Sequence, residues 1–357
     1  MSIKIIAEAG VNHNGSAELA FQLIDKACEA GADIVKFQTF KAKHLVTKAA
    51  RQAEYQTQNT GIEETQFSML SRLELDFDTH KELIGYCKKR DIEFLSTAFD
   101  IESLSFLVND LNLTTLKIPS GELTNAPFVL EHARTGCNMI LSTGMATLAE
   151  VEKALGVIAF GLTASLDEAP SEARFEEAYA SMDGRNALLQ KVTLLHCTTD
   201  YPAPFEEINL HAMQTMEASF GLPTGYSDHS EGIPIPIAAA ALGAKIIEKH
   251  FTLDKNMEGP DHKASLEPDE LKAMISGIRK VESALGNGIK VVQPSEAKNK
   301  SVARKSLVAL TNIKKGELFT ISNLGIKRPG NGRSPYDYWD FLGTSAEVNF
   351  DEGDLIQ

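Results

Sequence analysis

The sequence contains no CxxC pair and no other zinc spacing. Its 4 cysteines, Cys28, Cys87, Cys137 and Cys197, stand far apart, which argues against a ribbon-type metal site and fits reduced thiols in a cytoplasm. No apolar stretch approaches ~20 residues, so no membrane-spanning helix is expected. The opening "MSIKIIAEAG" has one Lys, a short apolar run and then Glu8, and it reads as a strand rather than a targeting signal. Positive charge is in deficit, with 35 Lys and Arg against 49 Asp and Glu and a formal net charge of -14. A nucleic-acid partner is therefore not expected, because phosphate-backbone binding needs clustered cations. Any anionic ligand has to be held by a few cations placed inside a cleft. No GxGxxG opens a helix after the first apolar run, so a dinucleotide-binding fold loses ground.

What the chain has instead is alternation. Apolar or β-branched runs occur at residues 3–10, 33–40, 92–99, 114–122, 138–144, 191–198, 224–230 and 244–251. Helix-like segments lie between them, such as "SAELAFQLIDKACEAGA", where Leu19, Leu23, Ala27 and Ala30 form a stripe that Ser16 can cap and Gly31 can end. Eight strand-helix alternations predict an α/β protein with a parallel sheet, and the number eight favours a closed (β/α)8 TIM barrel. Residues 41–75 and about 160–188 are expected to be elaborated loops. The barrel should occupy residues 1–285, a polar linker 286–302, and a compact module of short strands and turns 303–357.

In such a barrel the chemistry collects at the C-terminal ends of the strands. The runs place there Glu8, Lys36, Gln38, Ser96, Thr97, Lys117, Ser120, Glu122, Ser142, Thr143, His196, Thr198, Ser227, Asp228, His229, Glu248 and His250. A single lysine in a strand more often marks an exposed edge. Lys36 and Lys117, however, both follow runs that a parallel barrel buries, and a buried ammonium is costly unless an anion pairs with it. A phosphate ligand supplies that anion, with "SGE" (120–122) and "STG" (142–144) giving small residues where it meets the backbone. A Schiff base on Lys117 is the other chemistry open to these residues. His229 and His250 end adjacent strands and suit a loosely held divalent ion, Mn or Co, with Mg less favourable. The period of two puts Glu248 and His250 on one face and Lys249 on the other, toward the helices and a carboxylate partner. His13, His44, His80, His132 and His211 are expected to face solvent, while His196 and His262 stay open.

Together, "AEAGVNHNG", "VKFQTF", "FLSTAFD", "KIPSGE", "ILSTGM", "LHCTTDYPAP", "GYSDHS", "EKHFTLDKNMEGPDHKASLEPDE" and "KRPGNG" resemble the bacterial sialic acid synthases, among them the N-acetylneuraminate synthases. The resemblance covers nearly the whole chain, and the C-terminal module is similar to the SAF (antifreeze-like) domain of that family. It implies condensation of phosphoenolpyruvate with N-acetylmannosamine and water, releasing phosphate. Legionaminic and pseudaminic acid synthases, which take diacetamido dideoxy sugars, share most of these motifs and are the alternative, with loops 51–70 and 160–188 as the places where the sugars' distal groups would differ. Carried over by motif, Glu8 would be the catalytic carboxylate and His229 and His250 the metal ligands. Lys36, Thr97, Lys117, Ser120, Ser142 and Ser227 would bind phosphoenolpyruvate, and Glu122, Tyr201 and Asp261 the sugar. Arg328 would reach the acetamido group from the partner subunit of a homodimer with a swapped SAF domain. Thr199 stands where some members have Asn, and "STAF" where others have "STPF". An inactive barrel carrying a binding module is the reading from a different class, and the complete set of Glu8, Lys36, Lys117, His229 and His250 speaks against it.

Overall fold

The computed structural model describes residues 2–53, 56–57 and 61–357. Part of the stretch 51–70 therefore lies outside the described residues. Two compact units divide the chain, Met1–Gly286 and Asn287–Gln357.

In the first unit eight parallel strands close into a barrel in chain order: β1 (Lys4–Gly10), β2 (Ile34–Thr39), β3 (Glu93–Ala98), β4 (Thr115–Ile118), β5 (Asn138–Ser142), β6 (Val192–His196), β7 (Thr224–Asp228) and β8 (Ile246–His250). Every expected strand is present and slightly shorter than its apolar run. Helices cover the outside. The helix Ala17–Ala30 starts where the Ser16 side chain accepts from the Leu19 N–H at 3.3 Å and stops at Gly31, whose φ of 86° suits glycine. Among the described residues no helix is long and apolar enough to cross a membrane.

The strand period of two builds the site directly on the core. Ile6, Ile34, Leu95, Ile140, Leu195 and Ile246 form a buried cluster inside the barrel. Two residues further along the same strands stand Glu8, Lys36, Thr97, Ser142, Cys197 and Glu248, all of which line the cavity at the barrel mouth. Register then sets the neighbours: Glu8 lies beside Lys36 on one side and His250 on the other, Thr97 beside Lys117, and Ser227 beside Glu248.

Two expectations are corrected. The 160–188 segment is helical, with helices Leu148–Thr163, Glu172–Ala180 and Met182–Lys191; the Ser171 and Ser181 side chains cap the last two. The 41–75 insertion contributes helix Gln66–Leu73, whose Met69 and Leu73 pack in a cluster with Val11 and Phe40. Histidines are the second correction. His13, His80 and His132 are buried, since the loop and helices carrying them turn these rings inward. His80 Nε2 meets the Thr39 hydroxyl at 2.9 Å, and the His132 Nδ1–H donates to the Phe128 carbonyl at 2.9 Å.

In the second unit, β9 (Ser306–Ala309) pairs antiparallel with β10 (Leu324–Lys327) over a core of Leu307, Ala309, Ile313, Phe319, Leu324, Ala346 and Ile356. Helix Pro294–Ala303 occupies most of the stretch read as linker.

Candidate active site

The C-terminal ends of the strands surround a cavity of about 290 Å³. Larger clefts lie elsewhere on the first unit, but this one is lined by the buried Glu8, Lys36, Lys117, His229, Glu248 and His250. At its floor lie two ammonium groups and two carboxylates. Lys36 Nζ sits 2.9 Å from Glu8 Oε2 and 3.5 Å from Glu248 Oε2, and it donates to Thr97 Oγ1 at 3.1 Å. Lys117 Nζ donates to Glu248 Oε1 at 3.1 Å, and Ser227 Oγ donates to the same oxygen at 2.9 Å. All four ionisable groups are buried.

Their titration diverges. Burial pushes the Glu8 carboxyl up to about 7; Lys36 pulls it down while the neighbouring charge of Glu248 pushes it further up. Burial acts on Glu248 in the same direction, but Lys117, Lys36 and the Ser227 hydroxyl outweigh it and hold that carboxyl well below the usual range. Glu248 thus keeps its charge, and Glu8 is the carboxyl that exchanges a proton near neutrality. For Lys36 the two carboxylates overcome burial and raise the pKa, whereas for Lys117 burial prevails over Glu248 and lowers it.

Above this floor the His229 and His250 rings stand with centroids 5.6 Å apart, and Tyr201 lies 4.2 Å from His229. A carbonyl can only accept, so the 2.6 Å contact of His229 Nδ1 with the Thr198 carbonyl places the proton on Nδ1 and leaves Nε2 as a lone pair. His250 is buried, and its Nδ1 has no hydrogen-bond partner. Burial lowers both pKa values, His229 to about 4 and His250 well below its ordinary value, so both rings are neutral ligand-type imidazoles. Among the described residues no group of three or more His, Cys, Asp or Glu side chains is arranged to hold a metal. Two neutral imidazoles, one of them already oriented through its second nitrogen, are the donor type that a divalent ion would take.

A cluster of small polar side chains lies on the β4–β6 side. A Cβ on Gly144 would come within 2.2 Å of Thr199 Oγ1, 2.8 Å of Ser120 Oγ and 3.0 Å of Cys197 Sγ, so only glycine lets these groups converge. The Gly144 N–H donates to Ser120 Oγ at 3.0 Å, and Ser142 Oγ is buried without a partner. Behind the rim, Lys249 Nζ donates to Asp228 Oδ2 at 2.6 Å and to the Ser230 carbonyl, both ion-pair partners being fully buried. That is the outward carboxylate pairing expected from the strand period.

The loop after β8 is tied to the loop after β1. Asn12 Nδ2 donates to the Phe251 carbonyl at 2.8 Å and to Ser265 Oγ at 2.9 Å, and Asn14 Nδ2 donates to the Glu258 carbonyl at 2.9 Å. His262 Nε2 donates to Asn14 Oδ1 at 3.1 Å and thereby fixes its tautomer. This latch carries Asp261, which lines the cavity and whose carboxyl burial pushes up to about 6.

Of the residues expected at the site, Glu8, Lys36, Thr97, Lys117, Ser120, Ser142, Tyr201, Ser227, His229, His250 and Asp261 come together around the cavity. Glu122 does not line it; it sits on the turn Ser120–Glu122 and accepts from Asn125 Nδ2 at 2.7 Å. Arg328 belongs to the second unit, where its Nε donates to the Ala303 carbonyl at 3.0 Å. His196 points out of the barrel and donates from Nε2 to the Ile208 carbonyl at 2.7 Å, so Cys197 takes the inward place on that strand. The bridging position of Glu248 and the apolar side chains in the cavity lining were not foreseen, although the period of two had put Glu248 on the inward face.

A family model described as the NeuB family matches residues 23–290, and one described as the SAF domain matches residues 304–357. The chain is similar to the N,N'-diacetyllegionaminic acid synthase of Campylobacter jejuni, with 52% identity covering 99% of this chain and 98% of that protein. It is also similar to the N,N'-diacetyllegionaminic acid synthase of Legionella pneumophila, with 41% identity over 100% of this chain and 94% of that protein. A solved N-acetylneuraminic acid synthetase from Leptospira borgpetersenii in complex with citrate matches with a TM-score of 0.66 and 31% identity, covering 84% of this chain and 90% of that one.

Proposed function

The chain belongs to the NeuB family, and from that premise we propose that it condenses phosphoenolpyruvate with a diacetamido sugar and water, forming a legionaminic-type acid and releasing phosphate. The observation that carries the reaction class is the buried floor, where Lys36 and Lys117 share Glu248 beside a Glu8 that titrates near neutrality. For the sugar, the motifs alone put N-acetylmannosamine first. The relatives reverse that order, since the diacetyllegionaminic acid synthases are 52% and 41% identical and the N-acetylneuraminic acid synthetase is 31% identical.

The chemistry follows from the charges. Phosphoenolpyruvate brings a phosphate and a carboxylate, which Lys36 and Lys117 neutralise, while Ser142 donates its unpartnered hydroxyl. C3 of the enol attacks the aldehyde carbon of the open sugar and forms the new C–C bond while the carbonyl π pair moves to the aldehyde oxygen, which takes the proton of the Glu8 carboxyl. Water then adds to the cationic C2, and Glu8 accepts its proton, a transfer suited to a carboxyl poised near 7. The tetrahedral carbon expels phosphate with the C–O bonding pair, and the C2 carbonyl forms as its hydroxyl proton passes to the departing phosphate. Glu248 holds both ammonium groups in place throughout. A divalent ion, Mn with Co or Mg as alternatives, would be held by His229 and His250 and, when bound, polarises the aldehyde oxygen. The reading also includes a homodimer in which Arg328 reaches the partner's sugar; on Arg328→Ala the KM for the sugar should rise more than that for phosphoenolpyruvate.

Phosphate release with N-acetylmannosamine and with the corresponding diacetamido hexose tests the proposal. Higher kcat/KM on the diacetamido sugar is expected. Preference for N-acetylmannosamine would return the sugar to the first reading, and pyruvate trapped on Lys117 by borohydride would overturn the reaction class.

A further inference from the structure

Among the described residues five apolar side chains stand together in the cavity lining, which is unexpected around a polyhydroxylated substrate. Val11 from the β1 loop, Phe99 from the β3 loop, and Met69, Leu70 and Leu73 from helix Gln66–Leu73 all line it. These residues belong to one cluster, and the packing of Met69 and Leu73 on Phe40 is what seats the helix. The helix is also fixed from outside the cluster. Glu74 accepts from the Ala42 N–H at 2.5 Å, Arg72 pairs with Glu64, and Gly15 approaches so closely that a Cβ there would lie 2.3 Å from the Arg72 carbonyl. The helix is therefore seated by contacts within the chain itself.

Chain order gives this apolar wall a direction. It rises from the β1–β3 side of an eight-membered ring, whereas Tyr201 follows β6 and His229 follows β7; His250 and Asp261, on β8 and its loop, adjoin it because closure sets β8 beside β1. A substrate whose hydroxyls face Tyr201 turns its other side toward Val11, Met69, Leu70, Leu73 and Phe99. Gln38 and Gln56 also line the cavity, but a hydroxyl set directly against those five side chains would lose its hydration without gaining a partner from them. An acetamido group offers a methyl instead.

We propose that the helix Gln66–Leu73 and Val11 form the specificity wall of this enzyme and receive the methyl of the sugar's second acetamido group, the group that separates an N,N'-diacetyl product from a mono-N-acetyl one. The inference rests on the proposed function and names the part of the cavity that reads the sugar. The lever is one of modest size, since a hydrophobic pocket discriminates a methyl-sized group by roughly 10–200-fold.

The test measures phosphate release by the full-length protein with its divalent ion, using N-acetylmannosamine and the diacetamido hexose, for the native chain, Leu70→Gln and Val11→Thr. Leu70 is half-buried and Val11→Thr keeps the side-chain shape, so thermal unfolding close to that of the native chain is expected for at least the second variant. The ratio of kcat/KM for the diacetamido sugar to that for N-acetylmannosamine should fall by about tenfold in each variant, while the KM for phosphoenolpyruvate stays unchanged. A native chain that favours the diacetamido sugar together with variants that keep its ratio would overturn the wall and leave the proposed function standing. A native chain that favours N-acetylmannosamine would overturn both.

Discussion

Replacing Glu248 by Gln removes one negative charge from the barrel floor while keeping the side-chain volume. Glu248 lies 3.5 Å and Glu8 2.9 Å from the same Lys36 Nζ, so the two carboxylates can be no more than about 6 Å apart. At an effective dielectric of ~20 their repulsion is about 2–3 kcal/mol, equivalent to roughly 1.5–2 pH units on Glu8. In the metal-free protein the 13C carboxyl resonance of Glu8 should titrate near pH 7, and in Glu248→Gln it should titrate lower by roughly 1–2 pH units. The same change takes from Lys117 its contact carboxylate, so the urea midpoint should fall, with a loss of about 3–5 kcal/mol for breaking a buried pair from one side. An unchanged or higher Glu8 titration would refute the reasoning, because burial alone would then set its proton affinity. The sign for stability follows from linkage. A raised carboxyl favours the folded state when protonated, so its contribution is present below its unfolded pKa and lost as pH rises through about 7.

Three further outcomes are expected. Lys249→Met or Asp228→Asn should each cost about 3–5 kcal/mol in urea unfolding, and the double variant should recover much of it, because only the single changes strand a buried group; additive losses would dissolve the pairing. Asn14→Ala should raise the KM for the sugar more than that for phosphoenolpyruvate, as it frees the loop bearing Asp261, and equal effects on both would mean that the latch merely supports the fold. Burial lowers His13 to about 3 and His132, His229 and His262 to about 4, so the unfolded chain takes up protons below pH 6.5 that the folded chain refuses. At pH 5 each such histidine should subtract up to about 2 kcal/mol from the stability of the metal-free protein, partly offset by Glu8 and Asp261, whose raised pKa values act in the opposite sense. Equal urea midpoints at pH 7 and pH 5 would contradict this.

The barrel was legible because its signal is local: eight apolar runs with helical stripes between them, each bounded by residues that cap or break. The outward turn of Lys249 and the inward turn of Glu248 were legible for the same reason, since alternation along a strand follows from backbone geometry. His80 and His132 were misread because an exposed-looking helical residue becomes buried only when a neighbouring element covers it, as Phe94 and Phe106 do for His80. Glu122 fell outside the cavity because the chain leaves the strand period at Pro119 and turns, and past that point spacing no longer fixes direction.

The sequence by itself therefore determined the order of the strands, the face on which each side chain of a strand lies, and the kinds of group delivered to the barrel mouth. Only the tertiary structure decided which of those groups meet. Closure brings β8 beside β1, so that His250 stands next to Glu8 and Glu248 reaches Lys36 and Lys117 across the barrel. It also places apolar side chains of a helix from the 41–75 insertion in the cavity lining. Contacts between residues distant in the chain depend on register and closure, and neither is written in the spacing of a single strand.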